Sequence, residues 1–164
     1  EPSIINPRGC LGSQAYIKKF QTNKLKAVYN LELVGIGDAY AIWPVFKNQE
    51  NLTSFKILTN AMKDLNYYYE TAGEPSLFYA DDRSFRENGF YNVFTITSVP
   101  FKDKDIIRKF AFASVGEILS GKVQIPEIFR YYHTKADVVE TINTDSLERT
   151  VKLLYKVAQY WEKM

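Results

Sequence analysis

Cysteine occurs once in this chain, at Cys10, so no disulfide can close within it and no paired-cysteine metal motif exists. Histidine also occurs once, at His133, which removes every arrangement that draws two imidazoles from this sequence. No apolar run approaches the roughly 20 residues that a membrane-spanning helix needs, so membrane insertion is not expected. Charge of one sign is scarce as well: 21 Lys and Arg stand against 19 Asp and Glu, a net of +2. That balance is too even to steer a polyanion, and nucleic acid is not an expected partner. The start, Glu1-Pro2-Ser3, carries neither a basic patch nor an apolar stretch and shows no leader. A leader removed in maturation would leave the same start, so the compartment stays open.

What is present suits a water-soluble globular domain. The chain has 164 residues, 46% of them hydrophobic and 15% aromatic, enough for one core and one domain spanning 1–164. Ala15, Tyr16 and Phe20 with Lys18 and Lys19 predict a short amphipathic helix over 12–20, capped by Ser13. Residues 25–34 become almost continuously apolar, as a strand covered on both faces does, and Gly35-Ile36-Gly37-Asp38 stops them. Residues 40–45 predict a second strand, with Pro44 at an edge or a strand end. Leu52, Phe55, Leu58, Met62 and Leu65 recur at helical spacing. The segment 76–80 is short and apolar. Arg83 to Asn88 reads as a turn or two of helix closed by Gly89, and 91–97 as a buried strand. Between 102 and 130, Ile106, Ile107, Phe110 and Phe112 invite a helix while Gly116, Gly121 and Pro126 interrupt it. Asp145 as cap, Glu148 three residues on, and the stripe Leu147, Val151, Leu154, Ala158, Trp161 predict a long terminal helix. Strands alternating with helices predict an α/β fold, a three-layer α/β/α sandwich with a mostly parallel sheet.

Two residues attract chemical attention. Alternation along 25–34 puts Asn30, Glu32 and Val34 on one face, so Glu32 lies at the carboxyl end of a strand, where open α/β sheets bind ligands. A buried carboxylate needs a partner: a neighbouring Lys or Arg, or a metal ion. His133 stands in Tyr131-Tyr132-His133-Thr134, just before the terminal helix. One carboxylate and one imidazole fall short of the three protein ligands of a catalytic zinc.

Four segments then line up in order. Gly9-Cys10-Leu11-Gly12-Ser13, Tyr29-Asn30-Leu31-Glu32-Leu33-Val34-Gly35, Asp81-Asp82-Arg83-Ser84-Phe85 with Gly89, and Tyr132-His133-Thr134 with Asp137 together resemble the co-catalytic zinc exopeptidases, the family of bacterial leucyl aminopeptidases and glutaminyl cyclases. The resemblance runs from about Asn6 to the C-terminus. It implies an α/β/α sandwich and a site where zinc activates a water for attack on an N-terminal peptide bond. By this resemblance Glu32 and His133 are metal ligands and Tyr132 is a donor to the oxyanion, while Asp81 and Asp137 stand behind the ligands. The implied substrate is the N-terminus of a peptide or protein, and an extracytoplasmic location is in keeping with the family.

The departures carry equal weight. Where the family has a Glu-Glu pair, base and ligand, this chain has Asn6-Pro7, neither of which can take up a proton. Asp82 replaces a histidine. The family's first histidine ligand and bridging aspartate belong to an upstream half, so the chain is expected to be a partial domain, unable to hold a di-zinc site alone and lacking the base. Homo-oligomerisation or a complementing upstream segment is the expected consequence of exposed sheet edges.

Rival interpretations remain at this point. The chain is a zinc-dependent aminopeptidase-like hydrolase domain, incomplete by itself, or a non-catalytic binding or structural relative. A third alternative is a glutaminyl cyclase-like acyl transferase, which the Asp81-Asp82 pair resembles slightly. The same pair also suits a plain helix cap. Tyr67-Tyr68-Tyr69 and Tyr131-Tyr132, near Arg83, Arg86 and Arg130, suit packing better than base stacking at so small a net charge. Cys10 reads as a small buried residue rather than a nucleophile.

Overall fold

Four strands form one sheet in the computed structural model, which describes residues 10–20, 22–74 and 80–164. They are β1 (Val28–Leu31), β2 (Ala39–Trp43), β3 (Tyr69–Thr71) and β4 (Val93–Val99), in spatial order β1-β4-β2-β3. β1 runs parallel to β4, with Val28 opposite Val93 and Leu31 opposite Ile96. β3 runs parallel to β2, with Tyr40 opposite Tyr69. β2 and β4 are antiparallel, with Ile42 opposite Ile96. The sheet is therefore mostly parallel, with one reversal at its centre.

Alternation along the strands sorts their side chains onto two faces. Tyr40, Ile42, Phe94 and Ile96 pack with Phe55, Leu58 and Met62 of α2 (Thr53–Asp64) and with Leu153 and Val157 of the terminal helix α7 (Thr144–Glu162). The remaining helices are α1 (Leu11–Lys19), α3 (Asp82–Glu87), α4 (Lys104–Ala111), α5 (Val115–Leu119) and α6 (Glu127–Tyr131). On the opposite face Ala39, Ala41, Trp43 and Val99 meet Ile107 and Ala111 of α4 and Ile128 of α6. Helices thus cover the sheet on both sides, which is the expected α/β sandwich. The polar residues of the fully buried β4 are satisfied in place. Trp43 Nε1 donates to Thr97 Oγ1 at 2.9 Å, Thr95 Oγ1 to Asp82 Oδ1 at 3.0 Å, and Ser98 Oγ to the Ile36 carbonyl at 2.9 Å.

Several expectations are corrected by tertiary context. β1 is not covered on both faces: it is an edge strand and half-buried, because its apolar run continues into a loop instead of a longer ladder. Ser13 does not cap α1; it sits inside the helix, donating to the Cys10 carbonyl at 2.9 Å with its oxygen 2.8 Å from Ser84 Oγ, and Cys10 holds the cap position. The cap of α7 is Asn143, whose side chain accepts from the Asp145 amide at 2.8 Å. Its buried line is Ser146, Thr150, Leu153 and Val157, rotated away from the predicted stripe, so that Leu147 and Val151 are exposed. The two serine and threonine positions are polar yet face the core because their hydroxyls have partners there. Between 102 and 130 the ambiguous pattern resolves into α4, α5 and α6, with a reciprocal Ser114–Glu117 capping box starting α5. Pro44 follows the end of β2, one of the two places where it was expected. The apolar segment 76–79 and the Asn6-Pro7 pair lie outside the described residues.

Candidate active site

Residues 33–37 form the loop that follows β1 and Glu32. The Glu32 amide still bonds to the Ile96 carbonyl at 3.0 Å, and the chain then turns at Leu33, which has φ 56°. Ser98 Oγ donates to Ile36 O, Ser146 Oγ to Val34 O at 3.0 Å, and the Asn143 amide to Gly35 O at 2.7 Å. Three carbonyls of one loop are thereby fixed by β4 and the start of α7. Gly37 completes the turn at φ 128°, where a Cβ would lie 2.3 Å from the Val99 carbonyl carbon. Only glycine fits that approach.

Glu32 emerges at the start of this loop, half-buried. Among the described residues none forms an ion pair with it. Burial pushes its carboxyl up to about 7, and the charges of Asp81 and Asp82 push in the same direction. Asp81 stands exposed at the amino end of α3. Asp82, in the first turn, is almost fully buried, and its two oxygens are both engaged: Oδ1 accepts from Thr95 at 3.0 Å and Oδ2 from Arg86 Nε at 2.9 Å. Arg86 reaches on to Glu74 at 2.8 Å, and Asn30 Nδ2 donates to Thr95 Oγ1 at 3.2 Å. Burial holds the Asp82 carboxyl above its ordinary value, with Arg86 and Thr95 pulling the other way. Cys10 lies in the same negative field. Burial and then Asp81, Asp82 and Glu32 raise its thiol, which keeps it protonated and poorly nucleophilic.

From Leu33, the residue after Glu32, a cleft of about 150 Å³ opens, lined by Leu33, Ile36, Ile128, Tyr132, Asp137 and Ile142 among others. Its wall is mainly apolar. Tyr132 is half-buried in it and Asp137 lies at an exposed position on its rim. His133 follows at φ 57°, exposed, with its ring 3.8 Å from that of Tyr132, centroid to centroid. The immediate neighbours of Glu32 and His133 in the chain, Leu33 and Tyr132, therefore share one cleft. Asp81 and Asp82 share a field with Glu32. The described residues do not fit a self-sufficient zinc site: no three His, Cys, Asp or Glu side chains among them converge as a metal-holding group.

Sequence reasoning did not find the residues that shape this end of the sheet. Ser98, Asn143 and Ser146 act across 48 to 112 positions of chain, and nothing local marks them. Arg86 was findable: it lies four residues after Asp82, the spacing at which opposite charges meet on a helix.

The model of peptidase family M28 matches residues 7–158 of the chain. No curated protein and no solved structure matches it significantly.

Proposed function

Since this chain belongs to peptidase family M28 and is a peptidase-like hydrolase domain, we propose that it is the carboxyl-terminal portion of an aminopeptidase-like site. Its contribution is a ligand carboxylate, Glu32, a ligand imidazole, His133, and the cleft that receives the N-terminal end of a peptide. One observation carries this: Glu32 is half-buried at a strand's carboxyl end, has no ion pair among the described residues, and directly precedes Leu33, which lines an apolar cleft. A carboxylate kept there without a cation destabilises the fold, and such an arrangement is retained where it binds something.

The family's reaction uses zinc to lower the pKa of a bound water and to polarise the scissile carbonyl. Glu32 and His133 supply two donors and no base, so no step of hydrolysis belongs to this chain by itself. A complementing upstream segment would bring the remaining ligands and the base. Tyr132, a residue of the cleft wall, is in this reading a donor to developing negative charge, and Asp137 orients what enters; their place in the cleft lining supports both roles.

Zinc content and cleavage of an aminoacyl-nitroanilide test this reading together. The chain alone is expected to hold less than one tightly bound zinc and to cleave nothing, and adding the upstream segment restores both. Two tightly bound zinc ions in the chain alone would overturn it. Cyclisation of an N-terminal glutamine peptide in the same preparation identifies the acyl-transfer alternative.

One observation favours the non-catalytic alternative. Asp82, at the position of a family histidine, has both oxygens engaged by Arg86 and Thr95, a structural use of that position. An upstream sequence without His, Asp and Glu ligands would decide for it.

A further inference from the structure

α7 presents more apolar surface than its own core uses. The line Ser146, Thr150, Leu153, Val157 is buried, while Leu147 (39% exposed), Val151 (64%) and Tyr155 (67%) stand on the outward side. At a spacing of four these three lie one above another on a single helix face, and the exposed Ala158 continues the line with a small side chain. Single exposed apolar residues are ordinary on a protein surface, whereas a contiguous stripe marks a place of contact. Along one flank of the stripe run Glu148 and Lys152, paired with each other at 2.5 Å and both well exposed.

We propose that this face of α7 packs antiparallel against the same face of a second copy of the chain, about a two-fold axis passing at Val151. The proposal is independent of the hydrolase reading. Three properties of the stripe point to a copy of itself rather than another occupant. First, the sizes are complementary about Val151: a medium side chain meets itself at the axis, and Leu147 of each copy faces Tyr155 of the other. Second, an antiparallel two-fold pairing brings the same flank of both helices together. Glu148 of one copy then lies beside Lys152 of the other, and Lys152 beside Glu148, so four charges alternate in sign. Third, the small Thr144 and Ala158 face each other at both ends of the contact, so the helices can approach closely over about four turns. A face of this length buries less than the roughly 1,200–2,000 Å² of stable interfaces, so the dimer is reversible and depends on concentration.

Sedimentation equilibrium over a range on the order of 10 to 1,000 µM should follow a monomer–dimer equilibrium. Val151→Asp is expected to leave monomer throughout. Glu148→Lys gathers four positive charges at the contact and should weaken association about tenfold, and the double variant Glu148→Lys, Lys152→Glu should restore it. All three positions are on the solvent side of α7, and circular dichroism checks that each variant is folded. Orientation is read by oxidative cross-linking in a Cys10→Ser background. Val151→Cys sits on the axis and should form an intermolecular disulfide. Leu147→Cys should not, because two copies of position 147 lie about 12 Å apart along an antiparallel pair. A monomer at every concentration, association unchanged by Val151→Asp, or cross-linking of Leu147→Cys as ready as that of Val151→Cys would overturn the proposal.

Discussion

Arg86 Nε lies 2.9 Å from Oδ2 of Asp82, one turn apart on α3, and this pair sits in the core side of the helix with Asp82 only 1% exposed. Thr95 on β4 takes the second oxygen, so the contact ties α3 to one of the two inner strands of the sheet. Asp81 is held beside Glu32 by the same tether.

Removing the arginine leaves a buried carboxylate with one partner. Arg86→Met is expected to cost about 3 kcal/mol, as breaking a buried pair from one side does. Urea denaturation measures it. Adding Asp82→Asn should recover part of the loss, since a neutral amide tolerates that position better than an unpaired charge. Equal stability of Arg86→Met and the parent would show that the pair contributes nothing.

The fold itself is expected to report the state of Glu32. Its carboxyl rises from an ordinary 4.5 to about 7, first through burial and then through Asp81 and Asp82. Between those two values the folded chain holds a proton that the unfolded chain has released, so stability falls as pH rises through that window. Glu32→Gln removes this dependence. At about pH 8 the metal-free variant should be more stable than the parent by about 2 kcal/mol, and at about pH 4 the two should coincide. Thermal unfolding of both across that range provides the check, and parallel pH profiles would exclude the effect.

The face that α7 buries separates two otherwise similar leucines. Leu153 is fully buried between α2 and the sheet, and Leu153→Ala is expected to cost about 3 kcal/mol through lost burial and the cavity left behind. Leu147→Ala, on the outward side, should change the stability of the monomer by less than about 0.5 kcal/mol. A larger effect at Leu147 than at Leu153, measured by denaturation at low protein concentration, would reverse the assignment of the two faces.

These faces show where the residue pattern was informative and where it misled. The α2 stripe of Phe55, Leu58 and Met62 was legible because an unbroken apolar line makes its core contacts, with the buried Ser54 and Thr59 beside that line instead of interrupting it. α7 misled because its core face includes Ser146 and Thr150, whose hydroxyls bond to the Val34 carbonyl and, through the Ser146 carbonyl, within the helix. A pattern built from apolar residues alone then selects the neighbouring line, which the fold leaves in water. β1 misled for a related reason: its apolar residues continue past Leu31 into the loop that lines the cleft, so a run that resembled a doubly covered strand is half edge strand and half cleft wall. The position of Glu32 at a strand end was legible from alternation, whereas the roles of Glu32, His133 and Tyr132 come from the motifs and stand as proposals. The serines that fix residues 33–37 were not, because a hydroxyl has no local pattern that distinguishes a turn-holding donor from any other surface serine.

The strand order has a consequence for how the chain assembles. β4 is the partner of both β1 and β2, and only the β2–β3 pairing can form without it. Until residues 93–99 exist, β1 has no neighbour, although it is synthesised some 65 residues earlier. The separation raises the entropy lost in closing the sheet and places this domain among slow folders for its size. β1 and the β2–β3 pair then wait as separate unpaired edges on the nascent chain, and the arrival of β4 joins them in a single cooperative event, with α7 closing over the result last.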